Sequence, residues 1–422
     1  MRADRLLDDL RGDLRGRALV VVLGCLICQM GLGFGYVFGP LAKEIITELG
    51  WTRAEYSFTR LLQLAAMAGA SPLVGLWTVR HGARRVLVLA TVLLSVLFLL
   101  LARMHTLYAY WALMIGIGVA LTGLGDVTVG QTVSQWVERR RGLALGLVFV
   151  GSNLGGVLLV PAAVALAEAT DWRTAMHGLA AVGIGVLLPA ALLLVRNRHG
   201  PVERVDPAGG SDPRRSGPAG GRADDLGLGE AIRTRSFWIL LLSLFSFFFY
   251  FLAMLEHLVL YLTDEGMSRP AATAFYTTAV GLGIWSKLGL GLLADRIRAR
   301  GALTLVYGGI TVSSLLLLAD PGPAGLWVFV ATFGFSYAAR DVVHPLIVTW
   351  CFGLRNMASI YGTMMLMLVV GGVGPYFAAA VHDATGRYTL AFEVFAILNV
   401  VTLGSLLGLR DERRIRADRA AA

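Results

Sequence analysis

Six ionisable residues interrupt stretches that are otherwise almost wholly apolar: Arg60, Asp126, Glu256, Lys287, Arg340 and Asp341. Two histidines, His257 and His344, lie among them. An arginine offers a planar fork of N–H donors that suits bidentate pairing with a carboxylate, and it keeps its charge when buried. Arg340 is therefore the candidate ligand for an anionic substrate, with Lys287 as the second cation. Arg340 and His344 stand i, i+4 and share a face of a helix, which makes His344 a further candidate for substrate binding. Asp341 is rotated from Arg340 by about 100°, so the two need not pair. Proton transfer needs groups whose protonation can change within a working cycle. Asp341, Asp126, Glu256, His257 and His344 qualify, and Asp341 is preferred because it adjoins the anion site. Tyr36 and Asn153, with Gln131, Tyr250 and Tyr337, offer neutral hydrogen bonds to a substrate.

These groups need elements that can hold them, and the elements here are membrane helices. Each charge at mid-bilayer costs about 2.5–3.5 kcal/mol on insertion scales. Six facing lipid would cost on the order of 15–20 kcal/mol, above the usual folding margin of about 5–15. They must face a polar cavity or one another. Three cations and three acids allow complete internal pairing, for instance Arg340 with Asp126, which is the structural alternative to substrate binding. For Lys287 the alternative is a side chain reaching toward the inner surface. Arg60 is expected to stabilise the bundle interface.

Of the 422 residues, 56% are hydrophobic and the mean hydropathy is +0.68, which excludes an ordinary soluble protein. Spanning runs of about 20 apolar residues fall near 17–42, 53–77, 84–103, 108–135, 142–167 and 174–195. Six more fall near 236–263, 270–293, 301–319, 324–350, 357–382 and 389–409. The net charge of +9 does not indicate nucleic acid. With both termini cytoplasmic, 28 of the 37 Lys and Arg residues fall on inner segments and 6 on outer ones, the positive-inside pattern. The expected localisation is the cytoplasmic (inner) membrane, multi-pass. Met1–Arg17 lacks the apolar core of a signal peptide.

The second half repeats the first. Gly75–Arg80 returns as Gly291–Arg296, Asp126-Val127 as Asp341-Val342, and Trp136 and Arg141 as Trp350 and Arg355, always 214–216 residues later. Two homologous six-helix halves are the signature of an alternating-access carrier. The expected fold is all-α integral membrane, twelve transmembrane helices in two pseudo-symmetric bundles, 17–195 and 236–410. Residues 1–16 and 411–422 are tails, and 196–235 is a Gly-, Pro- and Arg-rich linker whose end, Asp225–Arg235, suits a short amphipathic helix. Small-xxx-small glycines such as Gly151–Gly155 favour close helix contact. Cys25 and Cys28 read as packing residues, and Cys351 is alone. No metal cluster, nucleophile–base pair or nucleotide loop suggests an enzyme, and no cofactor is expected.

The runs GLWTVRHGARR (Gly75–Arg85) and GLLADR (Gly291–Arg296) resemble the inner-loop motif of the major facilitator superfamily, in which an Asp and an Arg brace the inner gate. Asp295 and Arg296 keep that pair. The first copy has Val79 in place of the Asp but retains Arg80, Gly82 and Arg84. Closer resemblance is to monocarboxylate transporters and bacterial oxalate–formate-type carriers. It rests on Gly50–Glu55 (GWTRAE), Trp136–Gly146 (WVERRRGLALG), Asp171-Trp172-Arg173 and Gly371–Tyr388 (GGVGPYFAAAVHDATGRY). The resemblance implies a central cavity lined by helices one, four, seven and ten. Asp126, Glu256, Arg340 and Asp341 stand on three of these, as do His257 and His344; Glu256 and His257 are near the outer end of helix seven. The family's late helix-one Lys aligns with Pro40. Its helix-eight Asp and Arg align with Gly283 and Lys287, and the helix-eleven Lys of oxalate–formate exchangers is absent.

Together these features imply a monomeric carrier of small organic anions, most plausibly monocarboxylates, coupled to protons. An anion exchanger without proton coupling fits nearly as well. A drug exporter is disfavoured, since Gly151-Ser152-Asn153-Leu154-Gly155-Gly156 lacks the Gly-Pro-x-x-Gly-Gly often found in helix five of such exporters. A non-transporting sensor would need a regulatory domain that the short tails and linker do not provide.

Overall fold

A computed structural model describes residues 16–137, 141–197, 225–293, 299–319, 322–353 and 356–421. Among these residues the protein is helical, with no strand. The first six long helices are α1 (Arg17–Leu49), α2 (Arg53–His81), α3 (Ala83–Leu101), α4 (Leu107–Leu124 and Asp126–Trp136), α5 (Arg141–Ala169) and α6 (Trp172–Leu194). The second six are α7 (Arg235–Asp264), α8 (Arg269–Leu293), α9 (Ala299–Leu318), α10 (Pro323–Phe352), α11 (Met357–Met364, Met367–Gly371 and Val373–Thr385) and α12 (Thr389–Ser405). A terminal helix, α13 (Glu412–Ala421), follows. Below, the N half means residues up to 197 and the C half those from 225. "Inner" denotes the Arg-rich side.

Among the described residues, eleven helices are long and apolar enough to cross a membrane. The twelfth, α8, has 25 residues, but Lys287 and its Tyr and Thr residues reduce its apolarity. The linker end forms only a one-turn helix, Leu228–Ala231, shorter than the amphipathic helix expected over Asp225–Arg235.

Helix α1 runs seven residues beyond its expected end at 42. The extension Lys43–Leu49 is amphipathic rather than apolar, because it stands above the apolar layer and carries the outer-surface charges Lys43, Glu44 and Glu48. Gly50 closes it in the left-handed region (φ 68), where a side chain would be strained. Thr52 then caps α2: its hydroxyl accepts from the Glu55 amide at 3.1 Å, and its own amide donates to Glu55 at 2.8 Å. The GWTRAE run is thus a helix stop followed by a capping box.

Asp171 caps α6 by accepting from the Thr174 amide at 2.7 Å, and that bond holds its carboxyl below the ordinary carboxylate range. Next to it, Trp172 donates to Glu48 at 2.5 Å, and Arg173 reaches Glu48 at 2.9 Å and the Met104 carbonyl at 2.8 Å. The Asp-Trp-Arg motif therefore fastens α6 to α1 and the end of α3.

Small residues set the helix spacing. A Cβ on Gly33 would run into the Gly155 backbone, and one on Gly374 into Phe249. Both contacts are backbone against backbone, so α1 and α5, and α7 and α11, approach as closely as helices can.

Candidate functional site

The charges gather in two places, one midway through the bundle and one at its outer end. In the first, Asp341 of α10 gives one oxygen to each of two cations: Oδ1 lies 2.8 Å from Nη2 of Arg340, and Oδ2 lies 3.2 Å from Nζ of Lys287 on α8. Rotation by about 100° did not require Arg340 and Asp341 to pair, yet they do. The long guanidinium bends back along its own helix to the neighbouring carboxylate. Lys287 stays in the bundle, its side chain only 14% exposed, rather than reaching the surface.

Arg340 is buried between aromatic faces, with its guanidinium carbon 4.6 Å and 4.7 Å from the rings of Phe247 and Phe248. Its Nη1 reaches the Tyr361 hydroxyl at 3.5 Å, while its buried Nε has no partner. The Asp341 side chain is 44% exposed although it sits mid-helix, so a cavity reaches it. Asp126 faces it from the N half. Gly125 breaks α4 and Asp126 begins the second segment, where a carboxylate suits the positive helix end. Asp126 accepts from Gln29 at 2.6 Å and lies within electrostatic reach of Lys287, Arg340 and Asp341. Tyr36 is close enough to feel Asp341, Asp126 and Arg60.

Other candidates fall outside this cluster. His344 shares Arg340's face, as i, i+4 spacing requires, but that face turns inward. It is fully buried, with Nε2 at 3.2 Å from Ser243 Oγ and Nδ1 without a partner. Asn153 on α5 donates to the Val280 carbonyl at 3.0 Å and to the Tyr337 hydroxyl, which ties the two halves together. Tyr36 does so through its carbonyl, which accepts from Tyr276 at 3.1 Å. At Gly283, a Cβ would stand 2.5 Å from Asn153 Nδ2 and 2.6 Å from the Tyr337 hydroxyl, so the place of the family's helix-eight acid is filled. Gly283→Asp should therefore not restore a coupling pair. Overpacking costs about 1–3 kcal/mol, and a fall in melting temperature with no gain in transport would be the expected measurement.

The second cluster closes the outer end, and sequence reasoning largely missed it. Reciprocal ion pairs join Lys43 to Asp264 at 3.3 Å and Glu44 to Arg269. Arg53 contacts Asp264 at 2.6 Å and the Tyr388 hydroxyl at 2.5 Å. Asp383 of α11 accepts from the Arg53 and Ala54 amides at 3.3 and 2.8 Å, so the C half caps an N-half helix. Beneath them, Arg60 lies 3.5 Å from Glu256, with side chains 9% and 3% exposed. His257 touches Ser57 Oγ at 3.1 Å, Tyr388 at 3.0 Å and the Pro375 carbonyl at 3.0 Å. Most of these residues sit at span ends, where a sequence shows only loop charges. The GWTRAE and VHDATGRY runs were the available signals.

The polar contacts between the halves named above lie at mid-membrane or on the outer side. Asp126 and Asp341 are nonetheless exposed, which fits access from the inner side. On that side Gly82 turns at φ 83, where a Cβ would strike Asn197, and Asn197 accepts from the Arg84 amide at 3.1 Å. The first inner loop is thereby clasped to the end of α6. Gly75 faces Val127 and Arg80 is exposed. Gly291 lies in the last turn of α8, while Asp295 and Arg296 lie outside the described residues.

Residues 21–373 match the family described as Major Facilitator Superfamily. Among curated relatives, the rat Monocarboxylate transporter 3 is 27% identical over 387 residues, covering 88% of this chain and 76% of that one. An Escherichia coli protein described as an uncharacterized MFS-type transporter, YhjX, is 22% identical, covering 84% and 85%. A solved point mutant of the nucleoside transporter NupG superposes with a TM-score of 0.73 at 12% identity, over 93% of this chain and 99% of that chain. A bacterial homologue of the human lysosomal transporter Spinster, in its inward-facing and unoccupied conformation, gives 0.64 at 16% identity, covering 93% and 95%. At such identities the structures speak for the fold alone. Matched over most of its length and folded in the family's manner, this chain belongs to the Major Facilitator Superfamily and is a multi-pass membrane transporter, not an enzyme.

Proposed function

We propose that the protein carries small monocarboxylates across the cell membrane, together with protons, by alternating access between residues 17–195 and 236–410, and that it works as a monomer with both termini cytoplasmic. One observation carries the reading. An exposed carboxylate, Asp341, bridges Lys287 and Arg340 with one oxygen to each, which is the pairing a substrate carboxylate would make. The named monocarboxylate transporters among the relatives agree with it.

The chemistry follows from charge balance. Lys287 and Arg340 are neutralised by Asp341 and Asp126, so an anion entering this cluster meets no net attraction. Protonation of Asp341 removes its hold on both cations. The substrate carboxylate then takes its place and satisfies the fork and the ammonium. Release of both substrate and proton to the inner side restores the pair. Gln29 holds Asp126 on the opposite wall, where its charge disfavours a second anion.

Asp341→Asn tests this directly. Gradient-driven accumulation of labelled lactate in proteoliposomes should fall about tenfold or more, the size of a typical coupling free energy, while lactate–lactate exchange persists. A variant that still accumulates substrate with the gradient would remove Asp341 from the mechanism. Exchange without proton movement is the second reading, favoured by Gly283 in place of the family's acid. It requires the parent protein itself to ignore the gradient.

A further inference from the structure

The outer gate contains a polar chain that leads from the surface to a buried carboxylate, and substrate binding uses none of it. Its outer end is Tyr388, whose hydroxyl accepts from Arg53 at 2.5 Å. It lies near Asp264 and Asp383, whose side chains are both 27% exposed. The hydroxyl meets Nδ1 of His257 at 3.0 Å; Nε2 of His257 meets the Pro375 carbonyl at 3.0 Å, which places its proton there, and Ser57 Oγ at 3.1 Å; and Ser57 lies within electrostatic reach of the Glu256 carboxylate. His257, Ser57 and Glu256 are at most 2% exposed. Glu256 closes the gate by pairing with Arg60 across the two halves, and its Oε1 has no partner.

We infer that Tyr388, His257 and Ser57 form a proton path through the closed outer gate, delivering an outer proton to Glu256 and releasing Arg60 so that the gate opens.

The transfer balances. Neutral His257 begins with its proton on Nε2 and accepts from Tyr388 at Nδ1. A hydronium that enters past Asp264 and Asp383 protonates the oxygen of Tyr388, itself 4% exposed, as the phenol's own proton passes to Nδ1. Nε2 gives its proton to Ser57, and the Ser57 proton goes to Glu256. One outer proton has turned a carboxylate into a carboxylic acid, water stays outside, and reversal or a ring turn resets the imidazole. An imidazole with a partner at each nitrogen suits such a shuttle. A merely structural latch needs only the ion pair.

The groups around the path are few. Glu256 faces Arg60 and Tyr56 of α2, Tyr110 of α4 and Tyr276 of α8; Gly39 of α1 packs on it without a titratable group. His257 faces Arg53 of α2, Asp264 of its own helix, His382 of α11 and Tyr388. Loss of the Glu256 charge leaves Arg60 with only the Gln63 side chain at 2.8 Å and the Gly35 carbonyl at 3.2 Å. Both lie in the N half, so the buried ion pair between the halves is lost, and the more exposed pairs Lys43–Asp264, Glu44–Arg269 and Arg53–Asp264 are what the opening must still separate.

The inference draws on the proposed proton coupling but not on the substrate, and its test uses none. Fluorophores on Thr170→Cys and Arg387→Cys, exposed outer positions of the two halves, report their separation by energy transfer in proteoliposomes after rapid acidification of one side. Acid on the outer face should part the labels in the parent. Glu256→Gln should hold them apart at every pH. His257→Gln and Tyr388→Phe should reach the parent's endpoint about tenfold more slowly or worse, since removing a positioned proton carrier costs on the order of 10²–10⁴ in rate.

Three outcomes would overturn it: no acid response in the parent, a Glu256→Gln protein that still closes, or both relay variants opening at the parent's rate. Failed carboxylate uptake with a responsive gate would remove the substrate assignment alone. An unresponsive gate with intact coupled uptake would remove this inference alone.

Discussion

Arg340→Ala is expected to reduce carboxylate uptake by roughly thirtyfold to several thousandfold while the protein still inserts and folds. Removing one member of a buried, hydrogen-bonded charge pair costs about 2–5 kcal/mol, and each 1.4 kcal/mol is a factor of ten. The variant also leaves Asp341 to Lys287 alone and removes the cation resting on Phe247 and Phe248. Arg340→Lys separates charge from geometry. It keeps the cation but loses the fork, so uptake should survive at roughly a tenth of the parent's apparent affinity. If both variants transport normally, Arg340 is a structural counter-ion to Asp341 and the substrate binds elsewhere. Initial rates over a range of lactate concentrations, with insertion checked by monodispersity, decide the matter.

The second large effect belongs to the buried pair at the outer end. Arg60→Ala leaves Glu256 charged and unpaired, and Glu256→Ala does the same to Arg60. Either change should destabilise the outer-closed protein by about 3–5 kcal/mol. The double variant should recover much of that loss, because two well-packed neutral side chains need no mutual compensation. A double-mutant cycle on thermal unfolding in detergent measures the coupling, which should reach about 3 kcal/mol or more, since recovery in the double variant requires it to match the loss of a single one. Additive single effects would mean that the 3.5 Å approach contributes no pairwise energy. Arg60 would then stand only as a donor to Gln63 and Gly35.

What the sequence made legible follows from what a periodic apolar pattern encodes. Helix count and the internal repeat were readable because each span must bury its length in lipid, and chain duplication leaves residues such as Asp126 and Asp341 at matching positions. The charges themselves were readable because charge inside apolar runs is costly. Their partners were not. Whether Arg340 turns to Asp341 or Asp126 depends on side-chain torsions and helix rotation, neither of which is set by spacing along one helix. In type and spacing Gly125 is indistinguishable from a packing glycine, yet it sets Asp126 at a fresh helix start. The outer clasp joins residues more than 200 positions apart, Lys43 with Asp264 and Glu44 with Arg269. Its members sit just past the apolar runs, where a hydropathy reading stops.

The same physics explains why Asn153 and His344, offered as substrate ligands, sit as they do. A polar side chain on a membrane helix can meet its hydrogen-bonding needs against a cavity or against another helix, and the sequence pattern is the same for both. Asn153 takes the second course across α8 and α10, and His344 takes it at Ser243 and beside the Tyr307 ring. Both are thereby tied to packing surfaces, one of which must slide as the halves rock.

The most direct measurement is the proton movement itself. Lactate or pyruvate would be added to de-energised proteoliposomes in weakly buffered medium, with the external pH recorded. The account predicts prompt alkalinisation that saturates with substrate, is abolished by a protonophore and is absent with Arg340→Ala. Uptake of labelled carboxylate with no pH change would make the protein an exchanger or uniporter. No pH change and no uptake of any carboxylate, from correctly inserted protein, would contradict the assignment altogether.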